Sequence, residues 1–351
     1  MLQYIARRLL WMIPTMFGVT LAIFCLIQAA PGDPATMKYG HSEQTQEETD
    51  IQARIDKFNS KYGFNKPYWK QYLSYVGPIN MRDNGHTFFG GTGDDPYGGL
   101  LILDLGQEFQ RPSVSVMEEL GRRLQVTIPL SLASVFLSYL IALPLGVYSA
   151  VRQGTQIDNV TTVLVFVLYS VPRFWGGLML ILIFGAAGFD LLPTIGLHDK
   201  DADTFTTGQY VWDTFLHAIL PIATLTYGTF AYLSRQMRVG VVDAIRQDYV
   251  RTARAKGLSE RVIVLKHVLR NSLIPVLTLL AAILPILIGG AIIVETVFDV
   301  PGMGLYAFEG LVQRDYNIVM ATTTFSALMT MIGILMSDIS YALVDPRIRY
   351  D

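Results

Sequence analysis

Six long stretches of this 351-residue chain run almost without charge, and they constrain its fold more than any other feature. They are Leu9–Ala30, Leu124–Val151, Asn159–Pro172 continued by Phe174–Phe189, Thr214–Ser234, Asn271–Val294 and Tyr316–Ser337. Only the third holds a charge, Arg173, near its middle. A hydrocarbon layer about 30 Å thick is crossed by ~20 helical residues, and each stretch is that long. Lipid offers no water to backbone N–H and C=O groups, so a spanning segment satisfies them inside a helix. The stretches are too long for membrane-barrel strands and outrun the helices buried in soluble domains. The sequence therefore predicts an all-α integral membrane protein with six transmembrane helices. Its charged fraction, 16%, lies below the roughly 25% of ordinary soluble domains.

Loop charge predicts orientation. The 235–272 loop holds nine basic and three acidic residues, and the 185–213 loop one basic and five acidic. With Arg7, Arg8, Arg347 and Arg349 near the ends, this predicts both termini in the cytoplasm. Residues 1–30 form an N-terminal transmembrane helix whose apolar run exceeds that of a secretory signal. Residues 31–121 then lie outside as a small cap region. There Ile51, Ile55, Phe58 and Tyr62 recur at helical spacing before Gly63. A second short helix opens at Pro67 and stops at Gly77-Pro78. Residues 84–99 hold six glycines and read as an irregular loop. Residues 122–351 form a five-helix core.

The basic loop has its own pattern. Val242, Ile245, Tyr249, Ala253 and Lys256 fall near one helical face. Gly257 suits the left-handed residue that ends a helix, and Ser259 is placed to start the next. A helix, a glycine turn and a second helix under the membrane suit a docking element for a partner. A positive-inside loop without a partner, or a segment lying on anionic headgroups, would carry the same charge.

Little else points to chemistry. The five histidines match no metal spacing, so no metal site is expected, and Cys25 is the one cysteine. A net charge of −2 gives no general basic balance for nucleic acid. No Gly-Lys pair exists, so the chain lacks a phosphate-cradling loop, and H-E-x-x-H and G-x-S-x-G are absent as well. An enzyme is not expected. In "YSVPRFWGG", Pro172 predicts a kinked helix. Arg173 there is a pathway residue for an anionic group, half of a structural ion pair, or a cation snorkelling into a cavity. Ser170, Trp175 and Glu295 are further pathway candidates. A secondary transporter or channel could use Arg173 and Glu295 directly.

The loop resembles the cytoplasmic loop of ABC-importer permeases, whose motif begins Glu-Ala-Ala and reaches a glycine after three more residues. Arg251-Thr252-Ala253 stands where Glu-Ala-Ala would, and Gly257 matches the glycine. The later Ile-x-Leu-Pro of the general pattern is His267-Val268-Leu269-Arg270 here. The match is closer to the dipeptide/oligopeptide branch, as first-permease subunits, along nearly the whole chain: "RRLLWMIPTMFGVTLAIFCLIQAAPGDPA" at 7–35, "YGFNKPYWKQY" at 62–72, "DLGQEF" at 104–109, "FDVPGMGLYAFEGLVQRDYNIV" at 298–319 and "DISYALVDPRIR" at 338–349. The Gly-rich 84–99 stretch looks like an insertion, and Arg173 replaces a smaller or apolar residue. The resemblance implies a type I ABC importer permease fold in a bacterial inner membrane. It implies a coupling helix seated on a cytoplasmic ATPase, with Arg246, Asp248, Tyr249, Arg251, Ala253, Lys256, Gly257 and Leu258 as coupling residues. The implied partners are a sister permease, two ATPase subunits that hold ATP and Mg, an extracytoplasmic binding protein and a peptide cargo, with no cofactor in this chain.

Overall fold

The computed structural model describes residues 2–39, 48–77, 99–273, 276, 279 and 291–344, and among them it is helical with no strand. In order come α1 (Leu2–Ala29), α2 (Pro34–Tyr39), α3 (Glu48–Tyr62), α4 (Tyr68–Val76), α5 (Val116–Val151), α6 (Gln156–Ser170), α7 (Arg173–Phe184), α8 (Thr207–Ile245) and α9 (Asp248–Ala255). After these lie α10 (Glu260–Val262), which runs into a π turn at Ile263–Val268, then α11 (Ile292–Val297), α12 (Met303–Gln313) and α13 (Tyr316–Val344).

Four of these helices, α1, α5, α8 and α13, are long and apolar enough to cross a membrane. The third charge-free stretch departs from expectation. It is two helices, α6 and α7, bent by 98° at their junction, where a single kinked helix was predicted. A proline disfavours the α conformation of the residue before it, and Val171 is extended (φ −74°, ψ 119°). Pro172 is extended too, so α7 starts afresh at Arg173. The fifth stretch, Asn271–Val294, lies mostly outside the described residues, as does the Gly-rich segment 84–98. The fourth was also drawn too short: α8 is 39 residues long and runs past both charged margins, Asp213 and Arg235. A charge bounds an apolar window but not a helix, provided the charge finds a partner. Asp213 accepts the Asp199 N–H at 3.1 Å, and the Arg235 guanidinium lies over the Phe166 ring at 4.5 Å.

The chain divides into two compact units. One comprises Val126–Leu305 with Met329–Asp351. Its core has one cluster around Leu130, Leu220, Leu225 and Phe298 and another around Leu233, Met237, Val241, Val250 and Ile263. Asp158, 3% exposed, accepts both Arg238 Nε and Nη2 at 2.8 Å, Ser149 Oγ at 2.5 Å and the Gly154 N–H at 3.0 Å. One carboxylate thus ties α6 to α8, to the end of α5 and to the turn between α5 and α6.

The second unit comprises Leu2–Gln125 with Tyr306–Leu328. The two cap helices predicted from spacing are α3 and α4, and Gly63 and Gly77 follow them as read from the sequence. Phe58, Tyr62 and Phe109 are buried together, with Phe64 and Tyr316 against them. Asp315 is fully buried at the start of α13. Its carboxylate accepts the Phe109 and Ile318 N–H groups. Burial pushes its pKa up to about 7, with Glu108 adding to the rise and the backbone donors opposing it. Between pH 4 and 7 the folded chain keeps a proton that the unfolded chain releases. Stability therefore falls as pH rises through that window, by at most roughly 4 kcal/mol. Asp315→Asn is expected to flatten the pH dependence of the melting temperature between pH 5 and 8. Equal pH slopes for both chains would exclude Asp315 as the cause.

Candidate functional site

The basic loop starts as the tail of α8. That helix stops at Arg246, and Gln247 is extended (φ −75°, ψ 151°) before α9 begins. This break resets the helical phase, so the single face expected from Val242 through Lys256 does not form. Val242 and Ile245 end α8, partly buried. On α9 the inward residues are Val250 (0% exposed) and Ala253 (6%), packed with Val241, Ala244, Ile263 and Val268. Ala253 was expected as a contact residue for a partner. It instead faces this chain's own core, where its small side chain lets α9 lie close.

The other side of α9 is open. Arg246, Asp248, Tyr249, Arg251, Lys256, Gly257 and Leu258 are all exposed. The Asp248 and Arg251 side chains are 94% and 75% exposed, 3.4 Å apart. Gly257 takes φ +78°, the left-handed value its position called for, and a Cβ there would meet nothing within 4 Å. Arg254 Nε and Nη2 bond Glu260 at 2.7 and 3.2 Å across the turn. That hydrogen bonding raises the Arg254 pKa and lowers that of Glu260. Ser259 sits at the start of α10 without a side-chain capping bond. The π turn that follows has the wider winding often found near functional elements. Val250 carried no signal on its own in the sequence, since its burial depends on where the break falls.

The pathway candidates separate into two places. Ser170 ends α6, with its hydroxyl bonded to the Phe166 carbonyl at 2.9 Å. Trp175 is 47% exposed on α7. Both line one open groove of about 540 Å³ with Phe166, Val167, Pro172 and Phe174. Arg173 is the first residue of α7, exposed, with Nη2 at 3.5 Å from Thr229 Oγ1. It has no carboxylate partner among the described residues. A cation gains nothing from the positive end of a helix, so neither the helix nor an ion pair explains its presence. Tyr227 Oη donates to the Val171 carbonyl freed by the break, at 3.1 Å. Gly176 lies directly under that phenol ring, which leaves no room for a Cβ.

Glu295 is elsewhere. It is 4% exposed and enclosed. Its carboxylate accepts from Thr127 Oγ1 at 3.0 Å, Ala291 N at 3.3 Å and Leu305 N at 2.9 Å. Thr127 Oγ1 in turn accepts the Met303 N–H at 2.7 Å. The pair satisfies donors at the start of α12 that no helical carbonyl can reach. A buried carboxylate bound on three sides positions backbone, and its surroundings give cargo no approach.

Comparison with known proteins agrees with this geometry. Residues 142–350 match the family model described as binding-protein-dependent transport system inner membrane component. Residues 1–131 match its N-terminal companion. The chain is 37% identical to the oligopeptide transport system permease protein AppB of Bacillus subtilis over the full length of both. It is 31% identical to the dipeptide transport system permease protein DppB of Escherichia coli K12, covering all of this chain and 99% of that one. Among solved structures it is similar to a chain of the inward-facing MetNI methionine ABC transporter. The TM-score is 0.50 at 20% identity, over 65% of this chain and 97% of that one, a likeness of fold. These matches favour a permease subunit over the secondary transporter or channel that the charged residues alone left open. With its apolar helices, its broken third span and matches that run from one end to the other, the chain belongs to the family of binding-protein-dependent transport system inner membrane components.

Proposed function

We propose that this chain is one of two permeases of an ATP-driven importer for peptides, in a bacterial inner membrane with both termini in the cytoplasm. The relatives are named as oligopeptide and dipeptide permeases, which supports a peptide cargo. The observation that carries the reading is α9. It is locked to its own unit by Val250 and Ala253, and its opposite side is left bare. A short helix anchored on one side can move the helix behind it when something pushes on the other.

In this reading one of two ATPase subunits receives α9 through Asp248, Tyr249, Arg251, Lys256 and Leu258, with Arg246 at its entry. The two subunits bind the ATP and Mg. A distinct sister permease completes the pathway, and an extracytoplasmic binding protein delivers cargo. Arg173, Ser170 and Trp175 line that pathway, with Arg173 offered to a peptide carboxylate. Glu295 holds α11 to α12. No nucleic acid is involved.

Isolation of the chain from its native membranes in mild detergent tests this. Two Walker-motif ATPase subunits and a second permease are expected to come with it, and Arg173→Ala is expected to keep them while altering peptide uptake. Recovery of this chain alone, where another ABC complex survives, would end the coupling reading. Unchanged uptake of acidic and neutral peptides by Arg173→Ala would make Arg173 structural.

A further inference from the structure

No histidine spacing in the sequence suggested a ligand set, yet two histidines fold against two carboxylates. His198 and Asp199 precede α8, while Asp213 and His217 stand one turn apart on it. His217 Nδ1 lies 3.0 Å from the Asp213 carbonyl oxygen and 3.1 Å from Asp213 Oδ1. A carbonyl only accepts, so Nδ1 carries a proton, and in the neutral ring it is Nε2 that holds the lone pair. The His217 side chain is 2% exposed. Its Nε2 makes no hydrogen bond among the described residues and faces Asp199 Oδ1 at 3.9 Å. The other Asp213 oxygen, Oδ2, accepts the Asp199 N–H at 3.1 Å and lies 3.3 Å from His198 Nδ1. Tyr210 Oη is 2.8 Å from His198 Nε2.

A gap of 3.9 Å is too long for a hydrogen bond. It suits two atoms that share an ion, because metal bonds of about 2.0–2.2 Å place such ligands roughly 3–4 Å apart. One ligand atom from each of Asp199, Asp213 and His217 lies within 4.8 Å of the others. A ring whose Nδ1–H is held by a carbonyl or carboxylate, with Nε2 left free, is the usual state of a metal-binding histidine. Neutral imidazole with two carboxylates suits a first-row divalent ion.

We propose that Asp199, Asp213 and His217 bind a divalent transition-metal ion of the Zn²⁺ class, with His198 and Tyr210 orienting Asp213. The ion would fasten the segment that precedes α8 to that helix and keep a coordination position for water or an outside ligand. This does not rest on the identity of the transported cargo.

The test uses the full-length chain without a polyhistidine tag, purified in detergent and stripped with chelator. Zn²⁺ is titrated against a chromophoric chelator, and Co²⁺ is followed by its visible absorption. One ion per chain is expected. Asp199→Asn and His217→Gln are expected to weaken binding at least ~100-fold, and His198→Gln about 10-fold as an outer partner. The Asp199 side chain is 67% exposed, so Asp199→Asn decides the matter if His217→Gln fails to fold. No saturable binding by the parent chain would overturn the proposal. So would Asp199→Asn binding with the parent's affinity and stoichiometry, which marks an adventitious ion only.

Discussion

Replacing Gly257 with valine is expected to lower transport by about tenfold or more. Gly257 holds φ +78°, a conformation that costs an ordinary L-residue roughly 1–2 kcal/mol and a β-branched one more. A difference of 1.4 kcal/mol is about tenfold in an equilibrium. The turn sets the direction in which the chain leaves α9 for α10, so a strained turn displaces the open face of α9. Space within this chain is not the cause, since a side chain at 257 would meet nothing. Gly257→Asn separates the possibilities, because asparagine tolerates the left-handed region. Transport by Gly257→Asn near the parental rate, with Gly257→Val inactive, would mean that the backbone angle is what matters. Failure of both variants, with loss of co-purified ATPase, would mean that a partner packs against the bare glycine. Parental transport by Gly257→Val would remove the turn from the coupling element altogether.

The largest loss of stability is expected from Asp158→Ala. Its carboxylate is 3% exposed and receives four donors, two of them from Arg238. Removing one partner of a buried ion pair costs about 3–5 kcal/mol, because the other charge is left without compensation. A fall in apparent melting temperature on the order of 10 °C follows for a unit of this size. The exchange Asp158→Arg with Arg238→Asp is not expected to rescue it. The Ser149 hydroxyl and the Gly154 N–H still converge on position 158, and a guanidinium has no acceptor to offer them. Recovery in the double variant would mean that the charge pair alone matters and that these two donors are incidental. A melting temperature within 2 °C of the parent for Asp158→Ala, measured as ~2 °C precision allows, would mean that water replaces the pair at little cost.

The two charges also show why helix ends were harder to read than helices. Asp158 sits at the beginning of α6 and Arg238 within the last two turns of α8, 80 residues away in sequence. Asp158 reads by itself as the margin of an apolar window, and Arg238 as one more charge of the basic loop. Together they let α8 continue as one helix to Ile245 and bring the basic segment under the core. The cap helices were legible because their signals are local: apolar residues at helical spacing, Pro67 at a start, glycines at the ends. The break at Gln247 has no such mark, and with it went the prediction of which side of α9 faces inward. Ala253 and Glu295 were misjudged for the same reason. A small residue on a basic helix and a carboxylate in an apolar stretch are each consistent with an open surface until their neighbours are known.

What the sequence determined by itself is the class of molecule. It follows from a property that sums along the chain: runs without charge long enough to span lipid. The left-handed turn at Gly257 and the place of a bend at Pro172, though not the full break there, were also legible, since φ is restricted residue by residue. The tertiary structure alone decided which side chains meet. It enclosed Glu295 with Thr127, opened Ser170 and Trp175 onto one groove, turned Val250 and Ala253 inward, and gathered Asp199, Asp213 and His217. The physical reason is that burial and hydrogen bonding belong to pairs of groups distant in sequence. The phase of each helix, reset at every break, selects those pairs.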